Sequence, residues 1–196
     1  MKTVLVSIIV LLCGVANSQA EMIYLSLAGD TPVKNDVFGN EAVILAKFKL
    51  TTMSDAVNIS NVTVTVGGSY AVTACDLIRG SSATVLGTQP ENDSKFSFTG
   101  LNLIIGGYCT EIIAVRAHLS AIDEVNVLSG TIVNAGLLGN DAIQGVNLTT
   151  GLAFTSGSQS VIGYNQTLVP EPSTLVLLVS GLGALCFAVW RKKTQN

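Results

Sequence analysis

The 196-residue chain contains one histidine, His118, and one tryptophan, Trp190. A Ser-His-Asp triad needs a histidine oriented by a carboxylate. His118 lies in an alternating stretch, Cys109 to Leu119, on the side opposite Ile113, Val115, Ala117 and Leu119. That is the position of a solvated surface side chain, and only Asp123 and Glu124 are near it in sequence. No glycine-rich phosphate loop is present, because Gly67-Gly68 and Gly106-Gly107 sit where turns belong. The sequence therefore predicts no catalytic residues, no cofactor and no enzyme. Zinc is equally poorly served: of the four cysteines, Cys13 and Cys186 lie in the apolar ends, and Cys75, Cys109 and His118 fall short of four ligands. Asp30, Asp36, Glu41, Asp123-Glu124 and Gly139-Asn140-Asp141 offer hard oxygens, but none has the spacing of an EF-hand loop. They read as turn carboxylates, and no metal site is assigned.

Basic residues are scarce between the two ends. From Glu21 to Val169 there are 12 acidic residues and 6 basic ones (Lys34, Lys47, Lys49, Arg79, Lys95 and Arg116), a net charge of −6. Phosphate neutralisation requires clustered Lys and Arg, so no nucleic-acid partner is expected. Sugar platforms lean on exposed aromatic rings, and Trp190 lies in the tail. Tyr24, Tyr70, Tyr108 and Tyr164 remain, with Tyr70 and Tyr108 beside glycines.

Both ends are apolar. Met1 to Ala20 carries Lys2, an apolar run from Val4 to Leu12, and the small residues Ser18 and Ala20 at −3 and −1 of a cut after Ala20. This is the pattern of a removable signal peptide. Cys13 follows Leu12 rather than a small residue, so it reads as part of the apolar run. At the other end, Leu175 to Trp190 is an uncharged run of 16 residues. A bilayer core needs roughly 20 residues of helix, and Ser173, Thr174 and the stem of Arg191 extend the run. Pro170-Glu171-Pro172 resists helix and marks an extended segment at the membrane face. Arg191-Lys192-Lys193 places the C-terminus in the cytoplasm. The expected organisation is a signal peptide (1–20), an ectodomain (21–165), a linker with the Pro-Glu-Pro motif (166–174), a transmembrane helix (175–190) and a basic cytoplasmic tail (191–196).

A plain membrane anchor fits this tail. It also resembles the PEP-CTERM sorting signal of Gram-negative bacteria, through Val169-Pro170-Glu171-Pro172-Ser173-Thr174, the apolar run and Arg191-Lys192-Lys193. The resemblance implies an exosortase as partner, cleavage near the Pro-Glu-Pro, and transfer to the cell surface or release. It also implies a setting of exopolysaccharide and biofilm matrix.

Between the ends the texture is β. Ala42 to Thr51, Val57 to Val66 and Cys109 to Leu119 alternate with period 2, as half-buried strands do. Shorter candidates are Met22–Leu27, Tyr70–Ile78, Thr84–Gly87, Lys95–Phe98, Leu101–Ile105, Glu124–Val133, Ala142–Leu148, Leu152–Phe154 and Gln159–Tyr164. Gly29–Asn40 and Gln89–Asp93 read as loops. About eight to ten short strands between Gly- and Asn-rich turns predict an all-β, antiparallel β-sandwich. Val62-Thr63-Val64-Thr65-Val66-Gly67-Gly68, Phe96-Ser97-Phe98 and Ile113-Ala114-Val115-Arg116-Ala117 look like the Ig-like units of bacterial surface proteins. Cys75 and Cys109 are the two cysteines left in the exported domain. An oxidising compartment favours a Cys75–Cys109 disulfide, and two buried free thiols are the alternative. Taken together, an exported structural protein of the surface or matrix is expected. A carbohydrate- or Ca²⁺-binding adhesion module is the second reading.

Overall fold

The computed structural model describes residues 23–80, 82–90, 94–122 and 127–171. The expected signal peptide, the apolar run 175–190, Pro172, Ser173, Arg191, Lys192, Lys193, Asp123 and Glu124 lie outside these residues. Among the described residues, no helix is long and apolar enough to cross a membrane. The described residues form fourteen strands: β1 (Ile23–Leu27), β2 (Asp36–Phe38), β3 (Ala42–Thr52), β4 (Val57–Gly67), β5 (Val72–Arg79), β6 (Thr84–Pro90) and β7 (Lys95–Phe98), then β8 (Leu103–Ile105), β9 (Thr110–Leu119), β10 (Ile132–Leu138), β11 (Ile143–Asn147), β12 (Ala153–Thr155), β13 (Ser160–Ile162) and β14 (Gln166–Val169).

A five-stranded sheet has the order β1-β3-β9-β5-β6. A nine-stranded sheet is built on β4, which β10 and β11 flank on one side and β7 and β8 on the other. All pairings are antiparallel except β14 with β2. The all-β architecture agrees with the sequence reading. Inward residues of both sheets meet in one core, with Phe48, Leu50, Ile113 and Val115 from one and Val62, Val64, Phe96 and Leu137 from the other. That core is what an antiparallel β-sandwich requires.

Two bulges reset the alternation. In β3, Leu45 is the extra residue between the pairs Ile44↔Arg116 and Ala46↔Val115. Leu45 and Ala46 are consequently both buried, while Ile44 is only half-buried. In β4, Ser60 is extra between Ile59↔Gly145 and Asn61↔Gln144. The buried set accordingly changes phase, from Val57 and Ile59 to Val62, Val64 and Val66. A bulge adds one residue to one strand and turns the following side chains to the other face.

Several expectations need correction. Residues 166–169 are not linker: they form β14, parallel to β2, and Leu168 is fully buried. β2 lies inside the expected loop Gly29–Asn40. Three residues paired to a strand 131 positions away leave no local periodicity to read. Of the strand expected over Glu124–Val133, residues 124–126 lie outside the described residues, and β10 begins only at Ile132. Leu128 to Thr131 is a turn, with Thr131 donating from both N (3.1 Å) and Oγ1 (2.7 Å) to the Leu128 carbonyl, and Gly130 at φ 88°. Gln89 and Pro90 extend β6 rather than open a loop, and proline is tolerated there because β6 is an edge strand. Tyr70 sits in a single 3-10 turn, Ser69–Ala71, before β5 begins.

Amide side chains satisfy backbone groups at the edge strand β1 and in the segment that leads into β2. Gln159 accepts from the Leu25 N–H (2.8 Å) and donates to the Ile23 carbonyl (2.7 Å), as a neighbouring strand would. Gln166 likewise accepts from the Asn35 N–H at 3.1 Å and donates to the Val33 carbonyl at 3.1 Å.

Candidate functional site

The most organised polar group in the described structure is centred on Asp76. β5 and β9 pair with Asp76 opposite Arg116, and β5 and β6 pair with Asp76 opposite Thr88. Directly paired residues share a face, so these three side chains stand together on the outer surface of the five-stranded sheet. His118 follows Arg116 by two residues and therefore shares that face. Asp76 Oδ2 accepts from Arg116 Nε (2.9 Å), the Arg116 terminal nitrogen (2.6 Å) and His118 Nε2 (2.8 Å). Its Oδ1 accepts from Thr88 Oγ1 at 2.7 Å. The carboxylate is only 4% exposed, whereas Arg116 and His118 are 35% and 40% exposed. Burial alone pushes the Asp76 carboxyl up. The hydrogen bonds from Thr88, Arg116 and His118 outweigh it and hold the group below its ordinary value.

His118 is thus on the surface face, as its alternation predicted, but it is tied to a carboxylate 42 residues upstream. Sequence proximity had pointed to Asp123 and Glu124. The available signal was Asp76 itself, a lone acid in the apolar run Ala74-Cys75-Asp76-Leu77-Ile78. A buried charge needs partners. The arrangement spends the carboxylate's lone pairs on three side chains, which makes it a cross-strand staple for β6, β5 and β9.

Two further ion pairs lie in the same sheet. Lys47 Nζ meets Asp30 Oδ2 at 2.5 Å, which holds the exposed Asp30 carboxyl below its ordinary value. Arg79 donates Nε (3.0 Å) and a terminal nitrogen (2.6 Å) to Glu111 Oε2, and that contact raises the Arg79 pKa. Asp30, Lys47, Gly80, Thr110, Glu111 and Ile112 line an open cleft of about 300 Å³. Of the remaining candidate carboxylates, Asp141 accepts from Gln144 Nε2 at 3.4 Å. The carbonyls of Gly139 and Asn140 accept from Ser156 Oγ. No group of three or more His, Cys, Asp or Glu side chains among the described residues is placed to hold a metal ion. All four tyrosines are at least half exposed, Tyr108 the most at 81%.

The Cys75–Cys109 disulfide is not formed; both residues are free cysteines. Cys75 is buried in β5 opposite Ala117, whereas Cys109 is exposed in the turn before β9. Eight residues of β9 separate Ala117 from Cys109, about 26 Å at a strand's rise, while a disulfide spans less than about 7 Å between Cα atoms. Burial, with a smaller contribution from Asp76, pushes the Cys75 thiol up to about 12. An alkylating reagent on the native protein is therefore expected to modify Cys109 quickly and Cys75 only after unfolding. Equal rates at both sites would contradict the core position of Cys75.

Asn-x-Ser/Thr triplets occur at Asn58, Asn61, Asn92, Asn147 and Asn165, and of these Asn147 is fully buried. Its Oδ1 accepts from the N–H groups of Thr149 (2.7 Å) and Thr150 (2.9 Å), and its Nδ2 donates to Asp55 at 3.0 Å. Asn58 and Asn61 donate to Asn102 (2.8 Å) and Gln144 (3.0 Å) on the sheet surface.

The C-terminal motif leaves the fold with no slack. The Leu168 N–H donates to the Thr131 carbonyl (2.8 Å), the Leu168 carbonyl accepts from Gly130 N–H (2.8 Å), and Thr167 N–H donates to the Asn35 carbonyl (2.9 Å). Val169, Pro170 and Glu171 follow, each partly exposed. Pro170 and Glu171 are thus held at the margin of the larger sheet, next to β2.

The described domain thus ends in a pinned strand followed by a proline-flanked acid. Residues 168–193 match the PEP-CTERM protein-sorting motif, so the chain carries the tail that marks an exosortase-sorted, exported protein of the cell envelope or surface. No curated protein matches the chain significantly. Among solved structures, a family 123 glycoside hydrolase from Clostridium perfringens is similar over 76% of this chain and 28% of its own, at 8% identity and a TM-score of 0.38. PapD-like domain 7 of human CEP192 is similar over 80% of this chain and 91% of its own, at 6% identity and a TM-score of 0.33. The alkylpurine DNA glycosylase AlkC of Pseudomonas fluorescens is similar over 77% and 31%, at 9% identity and a TM-score of 0.31. This chain spans less than a third of the two enzymes' lengths. At these scores the likenesses bear on neither the chemistry nor the partners of this chain.

Proposed function

We propose that this protein is a non-enzymatic structural component of the cell surface or extracellular matrix, associated with exopolysaccharide and biofilm. Residues 1–20 direct export and are removed. Residues 175–190 hold the chain in the inner membrane, with Arg191, Lys192 and Lys193 in the cytoplasm. An exosortase then cuts near Pro170-Glu171-Pro172-Ser173, and the acidic β-sandwich passes to the outside. The observation that carries this reading is the sorting motif at 168–193, joined to a folded domain without an intervening linker. The Ig-like character of the middle strands, 62 to 117, belongs to the same reading. The test is fractionation of the host with and without its exosortase. The full-size chain is expected to accumulate in the inner membrane when the exosortase is missing. An unchanged size and location in both hosts would overturn the proposal.

A second reading, an adhesion module for carbohydrate, with or without Ca²⁺, has one observation in its favour. Tyr108 takes a left-handed backbone conformation, φ 54°, with its ring 81% exposed. Such strain at a non-glycine residue concentrates at functional positions. Calorimetry against soluble glycans, with Ca²⁺ and with chelator, tests it. Binding lost in Tyr108→Ala is the supporting result, and no heat under either condition removes the reading.

A further inference from the structure

The two outer faces of the sandwich differ in kind. Lys47, Lys49, Asp76 and Arg116 charge the face of the five-stranded sheet. On the nine-stranded sheet the register puts Asn58, Asn61, Thr63, Ser97, Asn134 and Gln144 outward. Among its described strand residues, only Lys95 and Asp36 are charged and outward, on the marginal strands β7 and β2. The face also carries exposed aliphatic side chains. Ile104, Ile132, Leu138, Val146 and Ile162 all point outward and are 39–54% exposed. Ile162 and Leu138 both lie against the bare backbone of Gly136, whose Cβ would meet each at 3.3 Å. Leu138 and Ile162 thus gather about Gly136, and Ile104 and Val146 flank Asn58, so a face with little charge carries apolar clusters suited to an interaction site.

We propose that this face binds the same face of a second copy of the chain. Charge argues for that occupant. The exported domain carries a net −6, so two copies repel wherever their acidic surfaces meet. The nine-stranded face lets them approach without opposing like charges. Side-chain amides and hydroxyls donate and accept equally, so a surface built of them is complementary to itself about a two-fold axis. The aliphatic side chains supply the apolar burial. An uncharged polysaccharide would favour aromatic platforms, whereas Ile104, Ile132, Leu138, Val146 and Ile162, which flank the polar outer face of β4, are aliphatic. The inference is independent of how the chain is sorted.

The experiment is sedimentation equilibrium of the full chain in density-matched detergent, with reductant present so that exposed Cys109 forms no cross-link. The wild type is expected to sediment as a dimer at micromolar concentration. Val146→Lys with Ile162→Lys is expected to weaken the dimer at least about tenfold. The circular dichroism spectrum should be unchanged, because both positions are exposed. If that pair lowers the melting temperature, Asn61→Lys places a charge on the same face at the cost of one surface hydrogen bond. A monomeric wild type would overturn the proposal. So would a dimer that survives these substitutions, which would place the contact in the tail. Retention of monomeric wild type by an insoluble neutral glucan, lost in the variants, would reassign the face to a polymer.

Discussion

Replacing Asp76 with Ala is expected to destabilise the protein by about 2–4 kcal/mol. On a domain of this size that lowers the melting temperature by about 5–15 °C. The substitution removes the acceptor for Thr88, Arg116 and His118 at once. Arg116 and His118 can turn to water, being more than a third exposed, which keeps the loss below that of a fully buried pair. Asp76→Asn should cost less, because its carbonyl oxygen still accepts from Thr88. The effect should also depend on pH. The native Asp76 pKa lies below its ordinary value of 3.8, so the folded state binds this proton less readily than the unfolded state. Its contribution is therefore complete above the ordinary carboxylate range and is lost as pH falls through the native value. The difference between wild type and Asp76→Ala, measured by urea unfolding from pH 7 down to pH 3, should shrink towards the acid end. A difference constant across that range would mean that the charge of Asp76 is not what stabilises the sheet.

The second large effect concerns the end of the fold. A chain stopped after Asn165 should lose at least about 3–5 kcal/mol relative to one stopped after Glu171. Stopping early removes β14, the buried Leu168, the amide cap of Gln166 on Val33 and Asn35, and the backbone bonds to Asn35, Gly130 and Thr131. It also strips the parallel partner from β2. Leu168→Ala in the full chain should reproduce about 2–4 kcal/mol of that loss. Equal urea midpoints for the two truncated chains would show that β14 is dispensable. The consequence for processing is direct. Sorting can discard the tail without unfolding the domain only if the cut falls beyond Val169.

Long strands were legible in the sequence because their alternation is local. Val62, Val64 and Val66 are buried, and so are Ile113, Val115, Ala117 and Leu119, as their period-2 pattern indicates. What escaped depends on distant partners. β2 and β14 are short and stabilise each other across the length of the domain. The bulges at Leu45 and Ser60 shift the burial phase inside otherwise regular strands, so Leu45 fills the core face that strict alternation gives to Ile44. The disulfide was inferred from the compartment and from cysteine number. Neither carries the strand register that separates Cys75 from Cys109. Asp76 was hidden for the same reason, since Arg116 and His118 reach it only once β5 and β9 pair. The sorting tail, by contrast, is a linear signal in which residue order is the information, and it could be read directly.

The account rests on the tail being a signal that is removed from a domain closed by β14. The direct measurement is the intact mass of the protein recovered from the surface of its own host. The predicted result is a chain that begins at Glu21 and ends at or shortly after Pro170, with β14 retained. A chain in the inner membrane that still ends at Asn196 would contradict it, and the protein would then be an anchored periplasmic domain.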